Sequence, residues 1–202
     1  MEEMPVMRTF AGGLIEGRVM TTRRVEMERF SVVSSKPFQE ILASLKAAVG
    51  RPDMAEFASA TKIARTFAEL EDVVQNALGK TELMLFMELD LGAILRKETG
   101  LDTPKIVRLV IGNPLIMKEM ARRVPDAGSY APVTILIDER RDGVHLSYDR
   151  MASLLAPYRN AEALAVAQEL DAKIECLIRR SALCDTALAR RVLWASLTGK
   201  LH

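Results

Sequence analysis

Chemistry needs acids, bases, nucleophiles or unpaired amides held close together, and three stretches of this sequence bring such groups near one another. The first is the junction Gly112-Asn113-Pro114, which leads out of a β-rich run into a helix, with Lys118 one turn further on. A helix N-terminus presents unpaired amides and a partial positive charge, which suits an anionic group. The plainer reading is architectural: Asn113 caps the helix, Gly112 allows the turn, and Pro114 sits where a missing amide costs nothing while removing one donor. The second stretch holds Glu88 and Asp90, two apart on a strand and so on one face, where two carboxylates can serve as acid and base or hold a divalent cation. No third ligand stands nearby in sequence, and the pair can equally be sheet-end acids answering Arg108 across the ladder. Asp90 is favoured of the two because it ends the strand. The third is His145, Ser147 and Asp149, one face of a hairpin strand. Neighbours two apart on a strand project in parallel, about 6–7 Å from each other, and do not converge on a reacting atom. A solvated polar face is expected there. The candidate ligand-binding residues are therefore Asp90, Gly112, Asn113 and Lys118, and no metal site is nominated.

Composition narrows the field further. The 202 residues carry 28 basic and 27 acidic side chains, a net charge of +1, so no global field draws in nucleic acid or an anionic membrane. At 49% hydrophobic, the chain can bury a substantial single core. G-x-S-x-G, Walker, G-x-G-x-x-G and H-E-x-x-H patterns are missing from the sequence. Cys176 and Cys184 match no common zinc spacing. On one helix they stand about 12 Å apart, beyond the roughly 7 Å that a disulfide spans, so both are expected to be buried free thiols. The eleven methionines read as core filler. No run of about 18 apolar residues predicts a membrane span, and the first 25 residues lack a signal-peptide core, so a cytoplasmic location is expected.

The elements that must position these residues follow from periodicity. Residues 1–24 read as an irregular N-terminal arm around Gly12-Gly13. Val25 to Val33 reads as a strand, and Phe38, Ile41, Leu42, Leu45 and Val49 mark one helical face that stops at Gly50. Arg51 to Arg65 reads as an insertion with one short helix after Asp53. A capping box at Thr66-x-x-Glu69 opens the next helix, which buries Leu70, Val73, Val74, Ala77 and Leu78 and ends at Gly79. The almost wholly apolar run Leu83 to Asp90 suits a central strand covered on both faces. A short helix at Gly92 to Thr99, a strand at Lys105 to Ile111 and a helix at Leu115 to Val124 follow. Val133, Ile135 and Ile137 alternate, Arg141-Asp142-Gly143 turns, and Val144, Leu146 and Tyr148 alternate again, which predicts a hairpin and its core face. A helix from Asn160 to Ser181 buries Leu164, Ala167, Leu170, Ile174, Leu177 and Ile178. An amphipathic helical tail, 183–202, carries Leu193, Trp194, Leu197 and Leu201 and is expected to pack on the core or on a second copy rather than lie on a membrane.

From Leu83 to about Ala182 the chain resembles the bacterial and archaeal family known only as domain of unknown function 302. The resemblance rests on the apolar strand ending in Asp90 before a short helix, V-I-G-N-P at Val110 to Pro114, P-x-x-x-L at Pro132 to Leu136, and D-G-V-H-L-S-Y at Asp142 to Tyr148. The strand and helix of Val25 to Val49 would supply the start of the same fold. The resemblance implies an α+β domain over 25–182, a mainly antiparallel sheet with packed helices, and a homodimer; it implies no reaction. Members often carry a histidine directly after the strand-ending aspartate, where this chain has Leu91. Many have a proline after the Y-x-D of the hairpin, where this chain has Arg150 and Met151. The segment before the central strand is also longer. Any proton transfer or binding by the family histidine is lost with Leu91.

Two functions of different class are left. One is a non-catalytic homodimeric module that binds a small ligand or a partner. The other is a small-molecule enzyme acting on an anionic substrate with Asp90, Asn113 and Lys118, which requires those residues to share one pocket. A small anionic ligand is the expected partner besides a second copy.

Overall fold

The computed structural model describes residue 22 and residues 24–183. Apart from residues 22, 24 and 183, the expected arm and tail, with the amphipathic stretch and Cys184, lie outside the described residues. Five strands form one sheet: β1 (Arg29–Ser34), β2 (Met84–Asp90), β3 (Ile106–Gly112), β4 (Val133–Arg140) and β5 (Gly143–Asp149). They lie in the order β1-β5-β4-β3-β2, and every neighbouring pair is antiparallel. Helices α1 (Phe38–Ala48), α2 (Met54–Ile63), α3 (Phe67–Ala77), α4 (Gly92–Thr99), α5 (Pro114–Ala121), α6 (Met151–Leu155) and α7 (Ala161–Ala182) complete a single α+β domain, as expected.

The strand alternation decides which face is covered. Val133, Ile135 and Ile137 of β4 and Val144, Leu146 and Tyr148 of β5 are all buried, joined by Val107, Leu109 and Ile111 of β3. Against them lie Ile41 and Leu45 of α1 and Ala167, Leu170, Ile174, Leu177 and Ile178 of α7. Each such large aliphatic side chain, moved fully out of water, contributes about 1.5–3 kcal/mol, so the stripe on α7 holds that helix to the sheet far more firmly than helix propensity could. The opposite face presents Ser31, Val33, Arg108, His145 and Ser147, exposed or half-buried. Between β4 and β5 the chain turns on Arg141 and Asp142, and Gly143 follows with φ +137°, a conformation closed to other residues without strain.

Three expectations need correction. The apolar run at Leu83 to Asp90 forms the sheet edge and not its centre; its apolar residues serve a β-bulge between Leu85 and Met87, and the outer side of its start is met by Gly50. Cys176 is exposed, because it stands on the face of α7 opposite the Ile174, Leu177 and Ile178 stripe. At the third helix the Thr66 hydroxyl accepts from the Glu69 amide at 3.2 Å, but the Glu69 carboxylate returns to the amide of Arg65, one residue before the cap.

One polar group sits deep in this apolar frame. Asp171 of α7 is 6% exposed, and its carboxylate accepts from the Tyr148 hydroxyl at 2.5 Å, the Met151 amide at 2.8 Å and the Ala152 amide at 3.1 Å. It therefore caps α6 from a distant helix and ties α7 to the end of β5. Removing it leaves the Tyr148 hydroxyl and the Ala152 amide without their acceptor and the Met151 amide with only a 3.4 Å bond to the Tyr148 oxygen, at a cost of about 3 kcal/mol. Asp171→Ala should lower the thermal midpoint by roughly 10 °C, and Tyr148→Phe by much less. Calorimetry on both variants checks this, and equal losses would remove Asp171 from its central place.

Candidate functional site

The Gly112-Asn113-Pro114 junction borders a cavity of about 120 Å³. Its wall is made by Phe86, Met117, Met120, Pro132, Val133 and Leu170, with Gly112, Asn113, Pro114 and Ala131 completing it, and no charged side chain lines it. Each part has a local cause. The bulge in β2 leaves Phe86 without a partner on β3, and bulges of this kind re-aim a side chain. Gly112 keeps the space open: a Cβ there would stand 3.2 Å from the Pro132 Cβ and 3.5 Å from the Phe86 ring. Pro114 starts α5, whose Met117 and Met120 face inward three apart, and Leu170 closes the cavity from α7.

The polar groups at the junction are consumed by the fold. Asn113 Oδ1 accepts from the Leu115 amide at 2.8 Å, while Asn113 Nδ2 donates to the Glu82 carbonyl at 3.0 Å, so one side chain both caps α5 and pins the loop before β2. Lys118 points elsewhere. Its ammonium lies 3.0 Å from Glu119 and 4.3 Å from the centroid of the Phe67 ring on α3, outside the cavity wall.

Asp90 is far from this place. It pairs with Val107 at one end of β3, whereas Asn113 follows the other end, a separation of about 20 Å along the strand. Glu88 and Asp90 do share a face, the helix-covered one, through their partners Leu109 and Val107. Arg108 stands opposite Leu89 on the other face and answers neither acid. Instead Glu88 meets Lys46 of α1 at 2.5 Å, and Asp90 takes two hydrogen bonds from Arg96 of α4, at 2.5 and 3.2 Å. His145, Ser147 and Asp149 do not converge: His145 Nε2 meets Asp142 at 2.9 Å and Asp149 meets Arg29 at 2.6 Å. Among the described residues no group of three or more His, Cys, Asp or Glu side chains could hold a metal ion, and no helix is long and apolar enough to cross a membrane.

A second, wider hollow of about 470 Å³ lies beside Asp171, bordered by Glu28, Arg150, Ser153, Gln168 and Glu175. Arg150 stands between Glu28 at 3.0 Å and Glu175 at 2.7 Å, so its charge is already answered. Burial pushes the Asp171 carboxyl upward, against the lowering effect of the Tyr148 hydroxyl.

Sequence reasoning located the junction but not its neighbours. Phe86, Met117, Met120, Pro132 and Leu170 look like ordinary core residues, and only the bulge, invisible in sequence, aims Phe86 inward. The Arg96 pair is equally unmarked, yet it holds the Asp90 carboxyl below the usual aspartate range. An acid so lowered contributes stability above its unfolded-state value and loses it as pH falls through the folded one. NMR titration of the Asp90 carboxyl should give a low midpoint that Arg96→Gln returns to the ordinary range; an unchanged midpoint would show the pair to be absent in solution.

A family model described as "Domain of unknown function DUF302" matches residues 58–180, more than half of the chain. A crystal structure of an uncharacterized conserved DUF302 protein from Bacillus stearothermophilus aligns with a TM-score of 0.52 and 13% identity, covering 76% of this chain and 97% of that one. No curated protein matches. At such low identity the neighbour speaks for the fold alone, while the family match, together with V-I-G-N-P and the Asp142 to Tyr148 hairpin, makes this chain a member of the DUF302 family.

Proposed function

We propose that this protein is a non-catalytic binding module, working as a homodimer, whose ligand is a small neutral molecule with an apolar ring or branched chain. The observation that carries this reading is the uncharged cavity walled by Phe86, Met117, Met120, Pro132 and Leu170. Its size is that of a single ring: apolar cavities of roughly this volume stay dry and admit benzene-sized guests. Two methionines add side chains that repack around different shapes, and Phe86 offers a ring face or edge. The exposed free thiol of Cys176 supports a reducing, cytoplasmic setting.

The enzymatic alternative on an anionic substrate finds less support. Asp90 lies about 20 Å from Asn113 by strand geometry, and Lys118 is engaged with Glu119 and Phe67. The Asn113 side chain has both of its functional atoms in hydrogen bonds.

A thermal-shift series separates the two. Toluene or indole at about a hundredfold its dissociation constant should stabilise the protein by roughly 2.7 kcal/mol, a rise of several degrees. Gly112→Val should abolish that rise, since the added methyls occupy the space between Pro132 and Phe86. Phosphate and citrate should have no effect. If the anions stabilise instead, and Lys118→Ala removes their effect, the neutral-ligand reading fails.

A further inference from the structure

Helix α4 is set with its apolar side outward. Leu91, Ile94 and Leu95 fall on one helical face by their three-and-four spacing, and they are 43%, 76% and 39% exposed. Leu101, just past the left-handed Gly100 that ends the helix, is 63% exposed. The inward side is polar or small: Gly92 is buried, and Arg96 reaches back to both oxygens of Asp90 and to the Pro104 carbonyl at 3.4 Å. Those contacts turn the Arg96 side of the helix toward the domain and leave the apolar stripe in water. An amphipathic helix of a lone globular domain does the reverse.

We propose that this stripe is the surface on which two copies of the chain meet. The inference rests on the homodimer in the reading above and names its contact. Four side chains at these exposures leave roughly 400 Å² of apolar surface in water, within the range of the largest apolar patch on a monomer, which is often functional. A standard interface takes about 800 Å² from each partner, so the stripe supplies about half as its core and the surrounding polar residues the rest. Both signs are present: Glu98, exposed, falls on the same helical face as Ile94 and Leu95, and Lys97, also exposed, flanks it. A two-fold axis sets a surface against itself, so a rim of mixed charge can pair across it where a rim of one sign would repel. The same balance disfavours an anionic bilayer, which selects basic rims around apolar side chains.

Sedimentation velocity of the full chain at micromolar concentration tests this against a monomer mass of 22.4 kDa. The unaltered protein should run as a dimer. The double variant Ile94→Glu, Leu101→Glu should dimerise about a hundredfold or more weakly and keep its thermal midpoint when diluted, since both side chains are exposed in the single chain. Val33→Glu, a control at an exposed position on the opposite edge strand, should remain dimeric. A dimeric double variant beside a monomeric Val33→Glu overturns the α4 contact and leaves the homodimer standing. An unaltered protein that runs as a monomer overturns both, without touching the cavity reading. Flotation with phosphatidylserine vesicles that the double variant abolishes, in a protein otherwise monomeric, assigns the stripe to lipid and overturns the proposal.

Discussion

The buried carboxylate of Asp171 is the constraint on which the rest of this fold leans. A carboxylate taken out of water is costly unless its oxygens are hydrogen-bonded, and here three donors meet it from one short stretch, 148–152, where β5 ends and α6 begins. The apolar stripe of α7 would allow the helix to slide or roll by a few ångströms at little cost, because dispersion and burial are not directional. The carboxylate removes that freedom. It specifies one register of α7 on the sheet, and burial raises its proton affinity as the physical counterpart of that specificity.

That register reaches the cavity through a single residue. Leu170, next to Asp171 in the chain, forms the α7 side of the wall facing Phe86, Met117 and Met120. From the other side Asn113 holds the start of α5 against the Glu82 carbonyl, so both helices that border the cavity are tethered within one turn of it. A cavity bounded by freely packing helices would collapse; one bounded by helices fixed through hydrogen bonds keeps its volume. The polar groups near the cavity thus act as framework, and the rest of its wall is apolar.

Much of the fold was legible because its signals are local. The hairpin could be read from strict alternation on either side of Arg141 to Gly143, and all six of its core residues are buried. The caps at Asn113 and Thr66 were readable because an amide two or three residues away is the only partner they need. The site was less legible because its determinants are nonlocal. The run at Leu83 to Asp90 looks central by composition, and only strand order reveals it as an edge whose apolar residues line a cavity and a bulge. Cys176 looked buried by type, yet helical phase places it opposite the stripe.

Asp90 shows how a residue singled out from sequence can find its partner within the same chain. A carboxylate at a strand end beside a short helix reads as a place for a ligand, and the structure fills that place with Arg96 of the same chain. The occupied site has a structural effect of its own. A planar guanidinium gripping both carboxylate oxygens fixes orientation as well as distance, and the close approach of Gly92 to the Pro104 and Ile106 backbone sets the same side of α4 against the domain. The hydrophobic pattern of α4 would by itself turn Leu91, Ile94 and Leu95 inward. Arg96, with the Pro104 carbonyl and the buried Gly92, makes the inward contacts of this helix, and Leu91, Ile94 and Leu95 are left in water.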